Sequence, residues 1–153
     1  MPFSLESSMQ PYLKNSLARA WTDRRIPTYT EPLRALIVDD NENGAEALAA
    51  YLSLESIECR IALGGAQAIE TAAAWLPDVI IMDISMPVLN GFEATLALRR
   101  DLRTGNIVII AFTALDEADV LRHLAHKTFD GYCQKGQPPE TLVSLIDLFG
   151  RVH

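Results

Sequence analysis

The chain has 153 residues, 49% apolar and 22% charged, which suits one domain with a buried core. A formal net charge of −7, with Arg24-Arg25 as the one short basic cluster, argues against nucleic acid or an anionic membrane as partner. No apolar run reaches membrane-spanning length, and Met1-Pro2-Phe3-Ser4-Leu5-Glu6 lacks the features of a secretory signal. A cytoplasmic protein with Cys59 and Cys133 as free thiols is therefore expected.

Residues 1–32 differ in character from the rest. They carry Pro2, Pro11, Pro27 and Pro32, with Leu13, Leu17 and Trp21 at four-residue spacing. That spacing predicts an amphipathic helix over 11–21, with Pro11 suited to its first turn, and a linker over 25–32. A packing helix, a homodimer contact and a partly ordered tail are all compatible with such an extension.

From Leu33 the pattern becomes regular. Leu33–Val38 is an apolar run ending in Asp39-Asp40, and 43–55 follows with Ala45, Leu48, Ala49 and Leu52 at helical spacing. A strand is predicted over 57–63, then Gly64-Gly65 as a break and a helix over 66–76 closed by Pro77. Val79–Met82 is a continuous apolar run stopped by Asp83. A helix over 92–102, a turn at Gly105-Asn106 and a strand over 107–112 come next. The remaining elements are a helix over 117–126, a short strand Gly131–Gln134 and an amphipathic helix over 140–149. On that helix Glu140, after Pro138-Pro139, suits the first turn.

Five strands alternating with five helices predict an α/β domain over 33–153, a doubly wound parallel sheet covered on both faces. In such sheets ligands bind beyond the carboxyl ends of the strands. The first predicted strand ends in Asp39-Asp40, the third in Asp83, the fourth in Thr113 and the fifth in Lys135. Parallel strands would bring these groups to one edge. Each alone has an ordinary explanation, since Asp and Thr after strands cap helices and a loop Lys is commonly solvated. Their joint occurrence at four strand ends is the informative feature.

Three carboxylates against one ammonium leave an excess of negative charge that a hard divalent cation would relieve. Mg²⁺ suits such a site, because it keeps waters that phosphoryl oxygens can replace. A neutralised carboxylate can then act as nucleophile toward phosphorus, and the remaining work is positioning and charge stabilisation. Thr113 could donate a hydrogen bond to one phosphoryl oxygen, while Lys135 neutralises another.

The ordered set Val38-Asp39-Asp40-Asn41, Pro77-Asp78-Val79-Ile80-Ile81-Met82-Asp83, Met86-Pro87, Gly91, Thr113-Ala114 and Tyr132-Cys133-Gln134-Lys135 resembles the receiver domains of two-component response regulators. The resemblance implies the flavodoxin-like receiver fold and phosphorylation of Asp83 by a histidine kinase or histidine phosphotransfer protein. It implies Mg²⁺ or Mn²⁺ ligated by Asp40, Asp83 and the Ser85 carbonyl, with Asp39 acting mainly through water. It also implies a switch in which Thr113 moves toward the phosphoryl group and Tyr132 turns inward behind it. A phosphoacceptor that assists its own phosphorylation and dephosphorylation, rather than an enzyme, is the expected activity. Output would pass by protein contact or phosphorelay, to a target the sequence does not name. No DNA-binding output domain is expected after the final helix.

Several features bear on this reading. The family usually has proline after the Lys, whereas Gly136 stands here, followed by Gln137-Pro138-Pro139. A more mobile loop and a less firmly held Lys135 are expected, which gives some support to a pseudo-receiver scaffold not switched by phosphate. A phosphohydrolase of the Asp-x-Asp type is disfavoured, because Asp83 is followed by Ile84-Ser85. Leu115 lies where an attacking water would approach an acyl phosphate and is expected to shield it. His123 and His126 share a helical face without a further apparent ligand, and are expected to be solvated.

Overall fold

The computed structural model of the protein describes residues 17–27, 32–122 and 128–150. The strands are β1 (Ala18–Ala20), β2 (Leu33–Val38), β3 (Ile57–Ala62), β4 (Val79–Met82), β5 (Val108–Thr113) and β6 (Gly131–Gln134). The helices are α1 (Glu42–Leu54), α2 (Gly65–Trp75), α3 (Gly91–Arg100), α4 (Glu117–Arg122) and α5 (Pro139–Leu148). The strands form one sheet in the order β1-β6-β5-β4-β2-β3. All neighbours pair in parallel except β1, which runs antiparallel to β6. The fold is the flavodoxin-like α/β architecture expected.

Alternation along the strands divides the core in two. Ala35, Ile37, Val79, Ile81, Val108 and Ile110 face one layer, with Leu52 of α1 and Leu142, Leu145 and Ile146 of α5. Leu36, Val38, Ile80, Met82, Ile109 and Ala111 face the other, with Ala68 and Ala72 of α2, Leu98 of α3 and Val120 of α4. Burial on both faces explains why these strands read as continuous apolar runs. Among the described residues no helix is long and apolar enough to cross a membrane.

The first of the sequence expectations to need correction is the helix over 11–21. Ala18–Ala20 is instead a strand, paired Ala18↔Cys133, Arg19↔Tyr132 and Ala20↔Gly131, so the sheet has six strands rather than five. The cause is tertiary. Without β1, strand β6 would present a row of unpaired backbone groups, and covering such an edge outweighs weak local helix preference. Gln134 N–H donates to the Leu17 carbonyl at 2.7 Å, extending the ladder. Residues 11–16 and 28–31 lie outside the described residues. Of the linker stretch, Ile26 is buried and its N–H donates to the Phe149 carbonyl at 2.8 Å.

Both cysteines are free thiols, Cys133 buried and Cys59 half-buried. Burial pushes the Cys133 thiol up to about 12 and, with help from Glu58, the Cys59 thiol up to about 11. Both are therefore protonated and poorly nucleophilic near neutrality. Helix α4 is described only to Arg122, so His123 and His126 lie outside the described residues.

Candidate functional site

Strand β2 lies between β3 and β4, so the chain crosses β2 when it passes from β3 to β4. This reversal opens a crevice at the carboxyl ends of β2 and β4, the place where doubly wound sheets bind ligands. Asp39-Asp40 leaves β2 there and Asp83 leaves β4. Ligand atoms of Asp39, Asp40 and Asp83 lie within 4.8 Å of one another. Asp39 and Asp83 are buried, and Asp40 is exposed at the mouth.

Local structure fixes Asp39 and Asp83. Asn41 caps α1 by accepting from Gly44 N–H, and its own N–H donates to Asp39 Oδ1 at 2.9 Å. Asp83 N–H donates to the Val38 carbonyl at 2.9 Å, and Asp83 Oδ1 accepts from Ser85 N–H at 3.3 Å. Gly91 closes the loop from below. A Cβ there would stand 2.3 Å from the Asp83 carbonyl oxygen and 2.7 Å from Ile84 Cα, so only glycine allows this approach. Within the same loop Val88 is fully exposed with φ 67°, an uncommon backbone state for a β-branched residue.

Lys135 reaches into the acidic cluster from the end of β6. Its Nζ lies 2.7 Å from Asp39 Oδ2 and 3.5 Å from Asp83 Oδ2. Gly136 has φ +94°, a left-handed state that glycine adopts without strain, and it turns the chain immediately after the lysine. The Lys135 backbone N–H donates to the Thr113 carbonyl at 2.8 Å. The looser hold expected for Lys135 is thus not what is found. The left-handed glycine supplies a turn at the position usually occupied by proline.

Electrostatics follow from this packing. Burial raises the Asp83 pKa above the ordinary carboxylate value; Lys135 opposes the rise and Asp39 adds to it. Burial alone would lower Lys135, but its bond to Asp39 and the charges of Asp83 and Asp39 raise it overall. Buried carboxylates incompletely neutralised by one ammonium form an all-oxygen donor set that fits a hard divalent cation.

Thr113 ends β5, beside β4, and is fully buried. Its Oγ1 accepts from Leu115 N–H at 3.2 Å, which leaves the hydroxyl proton available to a further acceptor. Tyr132 is also fully buried, and its hydroxyl donates to the Leu115 carbonyl at 2.6 Å. Burial, with smaller contributions from Asp116 and Glu117, pushes that phenol up to about 12. Ser85 is exposed beside Asp83. The structure therefore gathers Asp39, Asp40, Asp83 and Lys135 into one cluster, with Thr113 on the neighbouring strand end and Tyr132 behind it.

Two groups, one behind Tyr132 and one at the amino end of β6, were not legible in the sequence. Trp21 stacks on Tyr132 with ring centroids 5.8 Å apart and planes 5° from parallel. Asp130, immediately before β6, is fully buried. It accepts from Arg99 Nη2 at 2.6 Å, Arg24 Nε at 2.8 Å and Thr22 Oγ1 at 2.8 Å. A buried aspartate needs such partners, but nothing local in sequence announces them.

Comparison with known proteins agrees with this geometry. The family described as response regulator receiver domain matches residues 35–147. Protein PilH of Pseudomonas aeruginosa is 39% identical over 115 residues, covering 74% of this chain and 94% of PilH. Response regulator PleD of Caulobacter vibrioides is 40% identical over 83 residues, covering 54% of this chain. That match spans only 18% of PleD's own length. Among solved structures, the chemotaxis protein CheY4 of Vibrio cholerae aligns with a TM-score of 0.72 at 26% identity, covering 76% of this chain and 98% of that one. The response regulator TrrA of Thermotoga maritima, solved in complex with Mg²⁺ and beryllofluoride, aligns with a TM-score of 0.68 at 28% identity. It covers 75% of this chain and 96% of TrrA.

Proposed function

This chain belongs to the response regulator receiver family, and on that premise we propose that it is a phosphoacceptor in which Asp83 takes a phosphoryl group from a phosphohistidine. The observation that carries this reading is the cluster of Asp39, Asp40 and Asp83, with ligand atoms within 4.8 Å and Lys135 bonded into it. A carboxylate oxygen of Asp83 forms the bond to phosphorus as the donor's nitrogen–phosphorus bond breaks, and the imidazole leaves with the electron pair. Asp39, Asp40, Asp83 and the Ser85 carbonyl would hold Mg²⁺ or Mn²⁺. The cation, when bound, neutralises charge on the phosphoryl oxygens. Lys135 stabilises one oxygen of the phosphoryl group by charge and Thr113 donates a hydrogen bond to another.

The donor in this proposal is a histidine kinase or a histidine phosphotransfer protein. Output passes by protein contact or onward phosphorelay in the cytoplasm, with Thr113 and Tyr132 as the switch pair and a homodimer as one form of contact. The activity proposed is signalling, with the chain assisting its own phosphorylation and dephosphorylation rather than turning over a substrate. What favours this over a pseudo-receiver scaffold is that Gly136 leaves Lys135 engaged with Asp39.

The test is incubation with Mg²⁺ and a small phosphodonor or beryllofluoride, comparing the wild type with Asp83→Asn. Modification that requires Mg²⁺ and is lost in the variant supports the reading. A wild type that neither modifies nor responds supports the scaffold instead.

A further inference from the structure

Strand β1 does more than cover an edge. The Trp21 ring lies flat on Tyr132. Tyr132 OH donates to the Leu115 carbonyl, Leu115 N–H donates to Thr113 Oγ1, and the Thr113 carbonyl accepts from Lys135 N–H. An unbroken series of contacts thus joins Trp21 to the two groups that would meet a phosphoryl oxygen. Trp21 is itself held firmly. Its indole N–H donates to Glu117 Oε2 at 2.7 Å, and its backbone N–H donates to the Asp130 carbonyl at 2.7 Å. Arg19 pairs with the same Glu117 at 3.0 Å, and Arg24 and Thr22 fasten the next residues to Asp130.

We propose that Trp21 is a positioning residue for phosphoryl capture, holding Tyr132 and the 113–117 loop so that docking of β1 and occupancy of Asp83 favour each other. The proposal rests on the phosphoacceptor reading. Tyr132 is inside and bonded to the loop, and Trp21 lies over it. A loop ordered beforehand need not be ordered when the phosphoryl group arrives, and that saving appears as affinity. Linkage requires the reciprocal effect, so occupancy of Asp83 must tighten β1 on β6 by the same factor.

The test uses the full chain as wild type, Trp21→Ala and Trp21→Phe, with Mg²⁺ alone and Mg²⁺ plus beryllofluoride. Trp21→Ala weakens beryllofluoride affinity on the order of tenfold, the usual scale of such coupling. Affinity for Mg²⁺ alone is unchanged, because that ion meets the carboxylates and not the loop. Trp21→Phe keeps a stacking ring and recovers most of the loss. In the wild type, beryllofluoride slows tryptic cleavage at Arg19, Arg24 and Arg25, and it does not in Asp83→Asn. Equal or tighter beryllofluoride binding by Trp21→Ala, or unchanged or faster cleavage on occupancy, overturns the proposal alone. A wild type that binds no beryllofluoride overturns the phosphoacceptor reading and this proposal with it.

Discussion

The Lys135 ammonium is bonded to Asp39 at 2.7 Å, whereas Asp83, the proposed phosphoacceptor, stands 3.5 Å away. The lysine is therefore anchored by one carboxylate and left within reach of whatever joins the other. This arrangement sets the electrostatics of the site.

Removing that anchor exposes its role. Lys135→Ala leaves Asp39 and Asp83 without their nearest cation, and truncating one partner of a part-buried pair costs about 1–3 kcal/mol. Without divalent cation the variant melts several degrees below the wild type. Mg²⁺ then raises its melting temperature by a larger increment than it does for the wild type, because it meets more uncompensated charge. Thermal denaturation with and without Mg²⁺ measures both effects, and an equal increment would contradict the charge argument.

Asp83 gives the pH dependence. Its folded pKa is raised above the ordinary value of 3.8, chiefly by burial. A carboxyl with a raised folded pKa costs stability while it is ionised, and the cost disappears as pH falls through the raised value toward the unfolded one. Asp83→Asn is thus more stable than the wild type at neutral pH without metal. The difference closes toward acid pH and narrows when Mg²⁺ is added. Urea denaturation across the acid range checks the sign.

Much of this site was legible because its groups sit at the ends of strands that announce themselves. Val79–Met82 and Gly131–Gln134 were expected with the same bounds that are found, the first as an apolar run stopped by Asp83. Parallel pairing then brings Asp39, Asp83, Thr113 and Lys135 to one edge without further information. Strand β1 was not legible, because three residues of Ala-Arg-Ala carry no strand signal of their own. Its cause is the β6 edge at the other end of the chain. The Trp21 stack and the Asp130 network depend on the same pairing and were hidden with it.

Gly91 supports Asp83 from beneath. A methyl group at this position meets backbone at 2.3 and 2.7 Å, and backbone cannot swing aside as a side-chain tip can. Gly91→Ala displaces the Asp83–Ile84 segment, costing about 1–3 kcal/mol as an overpacked contact. Beryllofluoride affinity falls further than the stability loss explains, since the displaced residue is the proposed acceptor. Denaturation and calorimetry on one preparation separate the two.

Asp130 holds β1 and the start of β6 together. Its carboxylate is fully buried and accepts from Arg24, Arg99, Thr22 and the Ile109 N–H. Asp130→Ala strands the half-buried Arg99 guanidinium among backbone carbonyls and costs about 3–5 kcal/mol, as expected when one partner of a buried pair is lost. Amide exchange at Arg19 and Trp21, whose N–H groups lie on the β6 side of the antiparallel ladder, should quicken more than exchange in β4, because the loss falls on the β1 anchor. A uniform change across the sheet would mean that Asp130 serves global stability alone.

Leu115 uses its backbone and side chain differently. The backbone joins Thr113 Oγ1 to Tyr132 OH, while the half-buried side chain packs against the layer containing Val120 and Tyr132. Leu115→Glu keeps the backbone bonds and replaces an apolar surface two residues beyond Thr113 with a carboxylate able to orient water. If the leucine shields an acyl phosphate on Asp83, the phosphorylated variant decays several-fold faster than the wild type. The comparison is the loss of label over time after removal of the phosphodonor, with denaturation confirming that both proteins remain folded. Equal lifetimes would assign the side chain to packing only, because the backbone contacts are common to both proteins and cannot account for a difference.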